Sequence, residues 1–363
     1  MLLHQYRAVQ RFRLASRSFE GRHRFYTDPA VFRQLANMMA TAQMYSTDPR
    51  KYKLNHSMIR VKNPADSVKF YELLGMRLLQ RIEMSEAKFD VYFMGYDSPK
   101  AMSHGHNLWD REGLIELTHN YGTETDENYK VNNGNAEPHR GFGHLCISVD
   151  NLQAACQRLE DAGVKFQKKL TDGRMRNIAF VLDPDGYWVE VIGQNTFEDT
   201  VGVKHTDPET YRMNHTMIRV KSADASLKFY QETLGMSLMR TVENEKAGFN
   251  LYFLGYPGAK GVPSEGGGTA DREGLLELTW NYGTEKDASF SYHDGNKDPQ
   301  GFGHVCITVD DINAACERFE SLYVTWKKRL TDGRMKNIAF LLDPDGYWVE
   351  IVGNERLTGK VNF

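Results

Sequence analysis

Two histidines and two glutamates lie in apolar, strand-like runs, and the same four recur about 160 residues later. His56 opens one run, and Glu116 stands in the middle of another. His144 follows a Gly-Phe-Gly string, and Glu190 lies between two valines. The second set is His215, Glu277, His304 and Glu350. Imidazole nitrogens and carboxylate oxygens together suit a borderline divalent ion such as Zn²⁺, so all eight residues are candidate metal ligands.

A metal site is one of two interpretations of these residues. Taken alone, a glutamate in a strand usually points to solvent, and a strand histidine is more often packed than ligating. A carboxylate that shares a strand face with Leu114, or with Trp188 and Ile192, is costly to desolvate unless a cation or hydrogen-bond donors meet it. The recurrence of all four residues in the same local contexts favours the metal.

The repeat itself covers most of the chain. The string from Asn55 to Lys62 returns from Asn214 to Lys221, and residues 171–193 match 331–353 at 19 of 23 positions. We predict two domains at 46–196 and 211–356, joined by a polar linker at 197–210 and followed by a tail at 357–363.

Each half contains two rounds of the same order of elements, and these place the candidate ligands on strands. Residues 57–61 alternate as a strand, and 65–74 have helical periodicity that ends at Gly75. Strand-like runs follow at 78–82, 89–94 and 114–118. In the second round, strands at 144–149, 178–182 and 188–192 accompany a helix that Asp150 or Asn151 can cap. The predicted fold class is α+β, with four such modules in the chain.

The charge and composition of the chain argue against some classes of function. The formal net charge of -3 gives no reason to propose nucleic-acid binding, and no apolar run approaches the roughly 20 residues of a membrane span. The four cysteines form no CxxC pair, which favours small buried thiols in a reducing compartment. A soluble protein with a small-molecule ligand is the expectation.

Residues 1–45 differ from the rest. They contain seven arginines and only two acidic residues, Glu20 and Asp28. An Arg-rich, acid-poor segment is typical of a mitochondrial presequence, and a disordered basic tail is the alternative. The protein is therefore expected in the cytoplasm, or in mitochondria if this leader is a true presequence.

Several strings together resemble the glyoxalase I family, in its fused two-domain fungal form. They are Arg-Val-Lys after the strand histidine, Ile-Glu-Leu-Thr-His-Asn at 115–120, Gly-Phe-Gly-His at 141–144 and Asp-Pro-Asp-Gly-Tyr-Trp-Val-Glu at 183–190. The resemblance covers about 50–355. It implies the vicinal oxygen chelate fold, in which the modules have the order βαβββ.

The resemblance also implies how the ligands are grouped, because sites in this family lie between two partners that each contribute two ligands. We expect site one to comprise His56, Glu116, His304 and Glu350. Site two is expected to comprise His144, Glu190, His215 and Glu277. The long insertion between Gly95 and Gly113 resembles the zinc-dependent branch, so Ni²⁺ is the less favoured metal. Within it, His104 and His106 are expected to be solvated loop residues.

The family isomerises the hemithioacetal of methylglyoxal and glutathione, with glutathione as co-substrate. A carbon loses its proton, and the neighbouring carbon then gains one. A divalent cation stabilises the charge that develops on the two oxygens, and a carboxylate moves the proton. By resemblance, Glu350 is the base in site one and Glu190 in site two, with Glu116 and Glu277 opposite them.

Glutathione is anionic at both ends, so cations and amides should line its pocket. The family's binders correspond to Arg60, Asn120, Arg219, Asn281, Arg140, Lys168, Lys328, Arg174, Arg334, Met175 and Met335. One departure stands out: Arg140 precedes the first Gly-Phe-Gly-His, but its copy is Gln300. Glutamine cannot form a charge-assisted fork to a carboxylate, so site one should bind the conjugate more weakly. Trp280 replaces His119, which favours an aromatic packing role for that position.

Two rival functions remain on the same fold. A ring-cleaving dioxygenase would hold iron with two histidines and one carboxylate, and the second carboxylate at Glu116 or Glu277 argues against it. A non-catalytic binding protein could lose ligands, whereas this chain keeps two full sets. Since both halves of each site are in one chain, we expect a monomer.

Overall fold

The computed structural model describes residues 46–173, 175–196, 198–200, 202–258 and 268–355. The Arg-rich leader at 1–45, the predicted glutathione contact Arg174 and the tail at 357–363 lie outside the described residues. Two residues of the predicted linker, Phe197 and Val201, also lie outside them.

Four consecutive βαβββ modules make up the described chain, which confirms the predicted fold class. Module 1 contains β1 (Lys53–Arg60), α1 (Pro64–Leu73), β2 (Arg77–Met84), β3 (Phe89–Gly95) and β4 (Leu114–Asn120). Module 2 contains β5 (Phe142–Val149), α2 (Leu152–Asp161), β6 (Phe166–Lys168), β7 (Ile178–Leu182) and β8 (Trp188–Gly193).

Modules 3 and 4 repeat this order. Module 3 contains β9 (Arg212–Val220), α3 (Ala223–Lys228), β10 (Ser237–Asn244), β11 (Phe249–Gly255) and β12 (Leu275–Asn281). Module 4 contains β13 (Phe302–Val309), α4 (Ile312–Ser321), β14 (Thr325–Lys328), β15 (Ile338–Leu342) and β16 (Trp348–Gly353). Helix α3 continues as a π-helical turn over Phe229–Thr233.

Helix starts follow from side-chain caps. Asn63 accepts a hydrogen bond from the backbone N–H of Ala65, and Asn151 accepts one from Ala154. Ser222 and Asp311 cap α3 and α4 in the same way. Each cap satisfies a backbone donor that the first helical turn leaves free. Of the two residues that the sequence offered for α2, Asn151 is the cap.

The modules pair across the two halves rather than within them. One sheet has the order β14-β15-β16-β13-β1-β4-β3-β2 and joins module 4 to module 1. The other has the order β10-β11-β12-β9-β5-β8-β7-β6 and joins module 3 to module 2. The joins are the antiparallel pairs β1–β13 and β5–β9, whereas β1 pairs with β4 in parallel. Strands β5 and β13 are buried throughout because they lie inside eight-stranded sheets.

The two sheets meet along a line between corresponding residues. Ser57 Oγ of β1 lies 2.6 Å from Thr216 Oγ1 of β9, and the rings of Phe142 and Phe302 stack with centroids 4.9 Å apart. Arg158 of α2 donates to the carbonyl of Leu73 at the end of α1, which ties module 2 to module 1. These contacts fix the relation between the sheets that carry the candidate ligands.

Candidate metal centres

Two clusters of two histidines and two glutamates form, one on each sheet. In site one, Nε2 of His56 lies 3.0 Å from Glu116 Oε2, 3.2 Å from Glu350 Oε2 and 3.3 Å from His304 Nε2. All four side chains are buried, and their potential ligand atoms lie within 4.8 Å of one another. The structure therefore brings together the four residues that the sequence grouped as site one.

Site two repeats this geometry on the other sheet. Nε2 of His215 lies 3.0 Å from Glu277 Oε2, 3.2 Å from Glu190 Oε2 and 3.2 Å from His144 Nε2. Again all four residues are buried. Each site draws two residues from each half, because β1 and β4 pair with β13 and β16, and β9 and β12 pair with β5 and β8.

The register of the strands brings the four side chains of site one together. Met58 of β1 pairs with Glu116 of β4, so His56 and Glu116 lie two residues out of register on neighbouring strands. Cys306 of β13 pairs both with His56 and with Glu350 of β16. A shift in the register of β1 against β13 lies between Met58 and Ile59, next to this junction. Four strands thus aim their side chains at one point on one face of the sheet.

An asparagine fixes each first histidine. The amide nitrogen of Asn55 donates to the carbonyls of Leu108 and Arg111, at 2.9 and 2.8 Å, so its oxygen must face His56. That oxygen lies 2.8 Å from Nδ1 of His56, which therefore carries the proton as donor. The lone pair of the neutral ring is left on Nε2, at the centre of the cluster. Asn214 and His215 have the same arrangement.

The four residues fit a divalent cation. A lone pair on Nε2 of His56, facing two carboxylates within 3.2 Å, is repulsive unless a proton or a cation lies between them. Glu350 Oε2 is also buried and receives no hydrogen bond, although a buried carboxylate oxygen normally has a partner. Two imidazole nitrogens and two carboxylate oxygens are donors that Zn²⁺ accepts.

The electrostatics of both clusters favour positive charge. Burial lowers the pKa of His56, but Cys306 and the carboxylates of Glu116 and Glu350 outweigh it and hold the pKa well above its usual value. Burial likewise raises the pKa of Glu350, but His304 and His56 outweigh it and hold that pKa well below its usual value. His215 and Glu190 are shifted in the same directions for the same reasons. Both clusters therefore favour ionised carboxylates together with positive charge, from a cation or from protonated imidazoles.

The two carboxylates of a site are not equivalent. Thr118 donates its hydroxyl to Oε1 of Glu116 at 2.9 Å, and Thr279 donates to Oε1 of Glu277 at 3.1 Å. Glu350 has an oxygen without such a donor. The threonine hydroxyl therefore fixes the position of one oxygen of Glu116 and of Glu277.

Two predicted glutathione arginines reach the loops before the Gly-Phe-Gly-His strings. Arg219 donates to the carbonyls of Gly134 and Phe142 and to Oδ1 of Asn135, at 3.1, 2.9 and 2.8 Å. Arg60 donates to Asn296 Oδ1 at 2.9 Å in the corresponding loop. These bonds hold both guanidiniums near the clusters, where Arg60 interacts electrostatically with Glu116 and Arg219 with Glu277.

A cavity of about 1050 Å³ contains the four residues of site two. Four predicted glutathione contacts also line it: Arg219, Asn281, Arg140 and Met175. Gln300 donates its amide to the carbonyl of Asn296 and so turns toward its own loop. Asn120 lies half-buried at the end of β4.

The predicted lysines are engaged with backbone. Lys168 donates to the carbonyls of Met175 and Ile178, at 2.6 and 2.8 Å, and Lys328 donates to those of Met335 and Ile338. Each ammonium thus closes the base of the loop that follows β6 or β14. Arg334, in the second of these loops, is almost fully exposed and lies 3.9 Å from Glu86.

Some functional residues escaped the sequence prediction. Asn55 and Asn214 precede the histidines in both copies of the repeat, and that recurrence was the available signal. His119 and Trp280 do more than pack, because their ring nitrogens lie 2.7 and 3.0 Å from the equivalent carboxylates of Glu124 and Glu285. Exposed His104 and half-buried His106 belong to neither cluster, as expected.

The paired βαβββ modules, with a buried His₂Glu₂ cluster between them, define a metal-binding protein of the vicinal oxygen chelate class. The model of the Glyoxalase/Bleomycin resistance protein/Dioxygenase superfamily matches residues 53–191 and again 212–351. No helix among the described residues is long and apolar enough to cross a bilayer.

Relatives with both halves are similar along almost their whole length. Lactoylglutathione lyase of Schizosaccharomyces pombe is 50% identical over 309 residues, covering 85% of this chain and 98% of that protein. Glyoxalase I of Saccharomyces cerevisiae is 50% identical over 319 residues, covering 85% and 94%. The crystal structure of glyoxalase I from Zea mays aligns with a TM-score of 0.60 at 26% identity, covering 84% and 92%. The chain belongs to the glyoxalase I family.

Proposed function

We infer that this chain is a lactoylglutathione lyase that isomerises the hemithioacetal of methylglyoxal and glutathione to S-D-lactoylglutathione, and so detoxifies methylglyoxal. The observation that carries this conclusion is the pair of buried His₂Glu₂ clusters, each assembled from both halves. The family membership supports the same activity.

Glu350 in site one and Glu190 in site two are proposed as the groups that move the proton. Each would take the proton from the carbon that bears sulfur and return it to the neighbouring carbon, so that no proton is gained or lost overall. A divalent cation bound by the four residues would stabilise the negative charge on the two adjacent oxygens. Glu116 and Glu277 would lie opposite, where Thr118 and Thr279 hold them in place.

We propose Zn²⁺ as this cation, one per site, with Ni²⁺ less favoured. The nitrogen and oxygen donors suit zinc. The long insertion between Gly95 and Gly113 also supports zinc, because it resembles the zinc-dependent branch of the family. The carbonyls of its Leu108 and Arg111 orient the Asn55 amide that holds His56. All eight His and Glu residues are proposed ligands.

For glutathione, the proposed contacts are the arginines and asparagines that border the clusters. Arg60 with Asn120, and Arg219 with Asn281, would take the γ-glutamyl end. Arg140 would add a second cation in site two only. Met175, Met335, Lys168, Lys328, Arg174 and Arg334 are proposed around the glycyl end, with the two lysines acting through the loops that they close.

We propose that the protein is a monomer, since one chain supplies every residue of both clusters. Its domains are proposed at 46–196 and 211–356, with the linker at 197–210. A cytoplasmic or mitochondrial location depends on the leader at 1–45, which remains a prediction from the sequence.

The decisive experiment follows thioester formation from preformed hemithioacetal by absorbance spectroscopy. The zinc-reconstituted wild type should be active, and the double variant Glu190→Gln, Glu350→Gln should lose at least about 100-fold, since it lacks both proposed bases. The control replaces one exposed glutamate per half, Glu127→Gln and Glu317→Gln. An inactive wild type would overturn the proposed activity, whereas a fully active double variant would overturn the assignment of the bases.

A further inference from the structure

The walls of the two sites differ although the clusters are alike. The sequence Asp-Arg-Glu-Gly at 110–113 recurs at 271–274, which aligns Leu108 and Trp109 with Thr269 and Ala270. The structure places them equivalently, because the amide of Asn55 bonds the carbonyl of Leu108 and that of Asn214 bonds the carbonyl of Thr269. Site one therefore has a leucine and a tryptophan at the two positions where site two has a threonine and an alanine.

Trp109 fills space beside the cluster of site one. Its side chain is 4% exposed, and its ring centroid lies 6.2 Å from that of His56 and 5.6 Å from that of Phe93. Thr269 and Ala270, in contrast, line the 1050 Å³ cavity of site two. A tryptophan side chain is larger than an alanine side chain by roughly the volume of a bicyclic ring, so site two has room at this point for an aromatic substituent.

The neighbouring residues show the same difference. Ile338 and Val352 beside site one are 4% and 0% exposed. Their copies, Ile178 and Ile192, are half-buried and line the cavity of site two. The apolar wall is closed in site one and accessible in site two.

Charge separates the sites further. Arg240 of β10 lines the cavity of site two, whereas β2 has Gln80 at the equivalent position. Arg240 pairs with Phe253, just as Gln80 pairs with Phe93, and Phe253 pairs in turn with the ligand Glu277. Neighbouring strands lie about 4.8 Å apart, so the backbone of Arg240 lies level with that of Glu277 and about 10 Å from it. The Arg240 side chain is therefore within reach of a group carried on the reacting carbons. Arg240 forms no ion pair with any residue that the structure describes.

We propose that site two takes hemithioacetals whose aldehyde-derived substituent is bulky and carries a carboxylate, whereas site one is restricted to small apolar substituents. Ala270 and Thr269 leave the room, and Arg240 pairs with the carboxylate. In site one, Trp109 fills the same space and Gln80 has no charge. The inference rests on the proposed function and specifies the substrate class of each site.

The test uses chains with one working site, Glu350→Gln for site two alone and Glu190→Gln for site one alone. Each is assayed with glutathione hemithioacetals of methylglyoxal, phenylglyoxal and 4-carboxyphenylglyoxal. The ratio of kcat/KM for 4-carboxyphenylglyoxal over methylglyoxal should be at least about tenfold higher for site two, as expected for one charge-assisted hydrogen bond and the added room. If the two chains have kcat/KM ratios that agree within about twofold, the proposal is overturned. Two chains inactive even with methylglyoxal would instead overturn the proposed function.

Two further variants separate size from charge in the chain with site two alone. Ala270→Trp should lower the ratio for both aromatic substrates, and Arg240→Gln should lower it only for the carboxylated one. Since Ala270→Trp could disturb folding, Trp109→Ala in the chain with site one alone is its counterpart, and it should raise the phenylglyoxal ratio. An Arg240→Gln variant that treats the two aromatic substrates as the parent does would overturn the role of charge.

Discussion

Asn55 holds His56 by a hydrogen bond of 2.8 Å from Nδ1 to the amide oxygen, on the side of the ring away from the cluster. Two backbone carbonyls of the insertion fix the amide, so the orientation of the imidazole depends on a loop outside the strands. Outer partners of this kind fix the tautomer and direction of a metal-binding histidine. The sequence neighbour of the proposed ligand is therefore its positioning residue.

Removing that hydrogen bond should weaken metal binding at one site only. We expect Asn55→Ala to reduce the zinc affinity of site one by about 10–100-fold while site two, with Asn214 intact, keeps its affinity. Competition with a chromophoric chelator would resolve the two affinities. Asn55→Asp, which keeps an acceptor beside Nδ1, should restore most of the loss. If Asn55→Ala leaves both affinities unchanged, the amide does not position His56.

Arg140 and Gln300 offer a second comparison between the sites. In a chain with only site two active, Arg140→Gln should raise KM by about tenfold, the effect of one charge-assisted hydrogen bond, with little change in kcat. In a chain with only site one active, Gln300→Arg should lower KM. Equal KM values for the two unmodified single-site chains would contradict the predicted inequality.

The fold class was predictable from the sequence because the same order of elements recurs in four modules along the chain. Helix α1 was predicted within one residue at each end, and the start of α2 was narrowed to two caps, because a terminal glycine and a cap are local signals. The short strand β6 was missed because three residues show no periodicity. The exchange of modules between the sheets depended on resemblance, because residues alone do not encode which of four similar edges pair.

The candidate sites were predictable for the same reason, and their surroundings were not. His56 and Glu116 were identified because ionisable side chains are unusual in apolar strands. The positions of Trp109 and Arg240 in the pocket walls follow from an insertion and from strand register, which only three-dimensional structure reveals. The ammonium of Lys168 also bonds backbone, although the resemblance to the family implied a ligand contact. Long flexible side chains are the least predictable, since several partners lie within their reach.

Gly301 marks a point where the halves approach too closely for a side chain. A Cβ atom built there would overlap the backbone carbonyl oxygen of Asn132, with which Gly301 forms an isolated bridge. We expect Gly301→Ala to lower the free energy of unfolding by about 1–3 kcal/mol, because the backbone must shift. It should also weaken zinc binding at site one, since His304 follows three residues later.

Urea denaturation and chelator competition would measure both effects of Gly301→Ala. The matched control is Gly268→Ala, where a Cβ would meet nothing within 4 Å. A stable Gly301→Ala variant with normal zinc affinity would show that the contact between the halves does not constrain the strand that carries His304.

Glu112 and Glu273 form a pair of acids at the junction of the halves, where the Cβ of each lies close to a glycine of the other half. Burial raises the pKa of Glu112 to about 7 and that of Glu273 to about 8. Nearby cations, Lys53 and Arg272 for Glu112 and Arg212 for Glu273, oppose this rise in pKa only in part. In the folded protein both carboxyls therefore keep a proton that the unfolded chain releases near pH 4.5.

The sign of the pH dependence follows from this difference in proton binding. Between about pH 4.5 and 8 the folded state binds more protons, so stability is fully present below that range and falls as pH rises through it. We expect Glu273→Gln, which keeps a neutral side chain of the same size, to raise the free energy of unfolding at pH 8.5 by about 1–3 kcal/mol and to change little at pH 5. Urea denaturation across this range, with the exposed Glu127→Gln as control, measures the effect. A variant as sensitive to alkaline pH as the parent would show that Glu273 is ionised without cost in the folded protein.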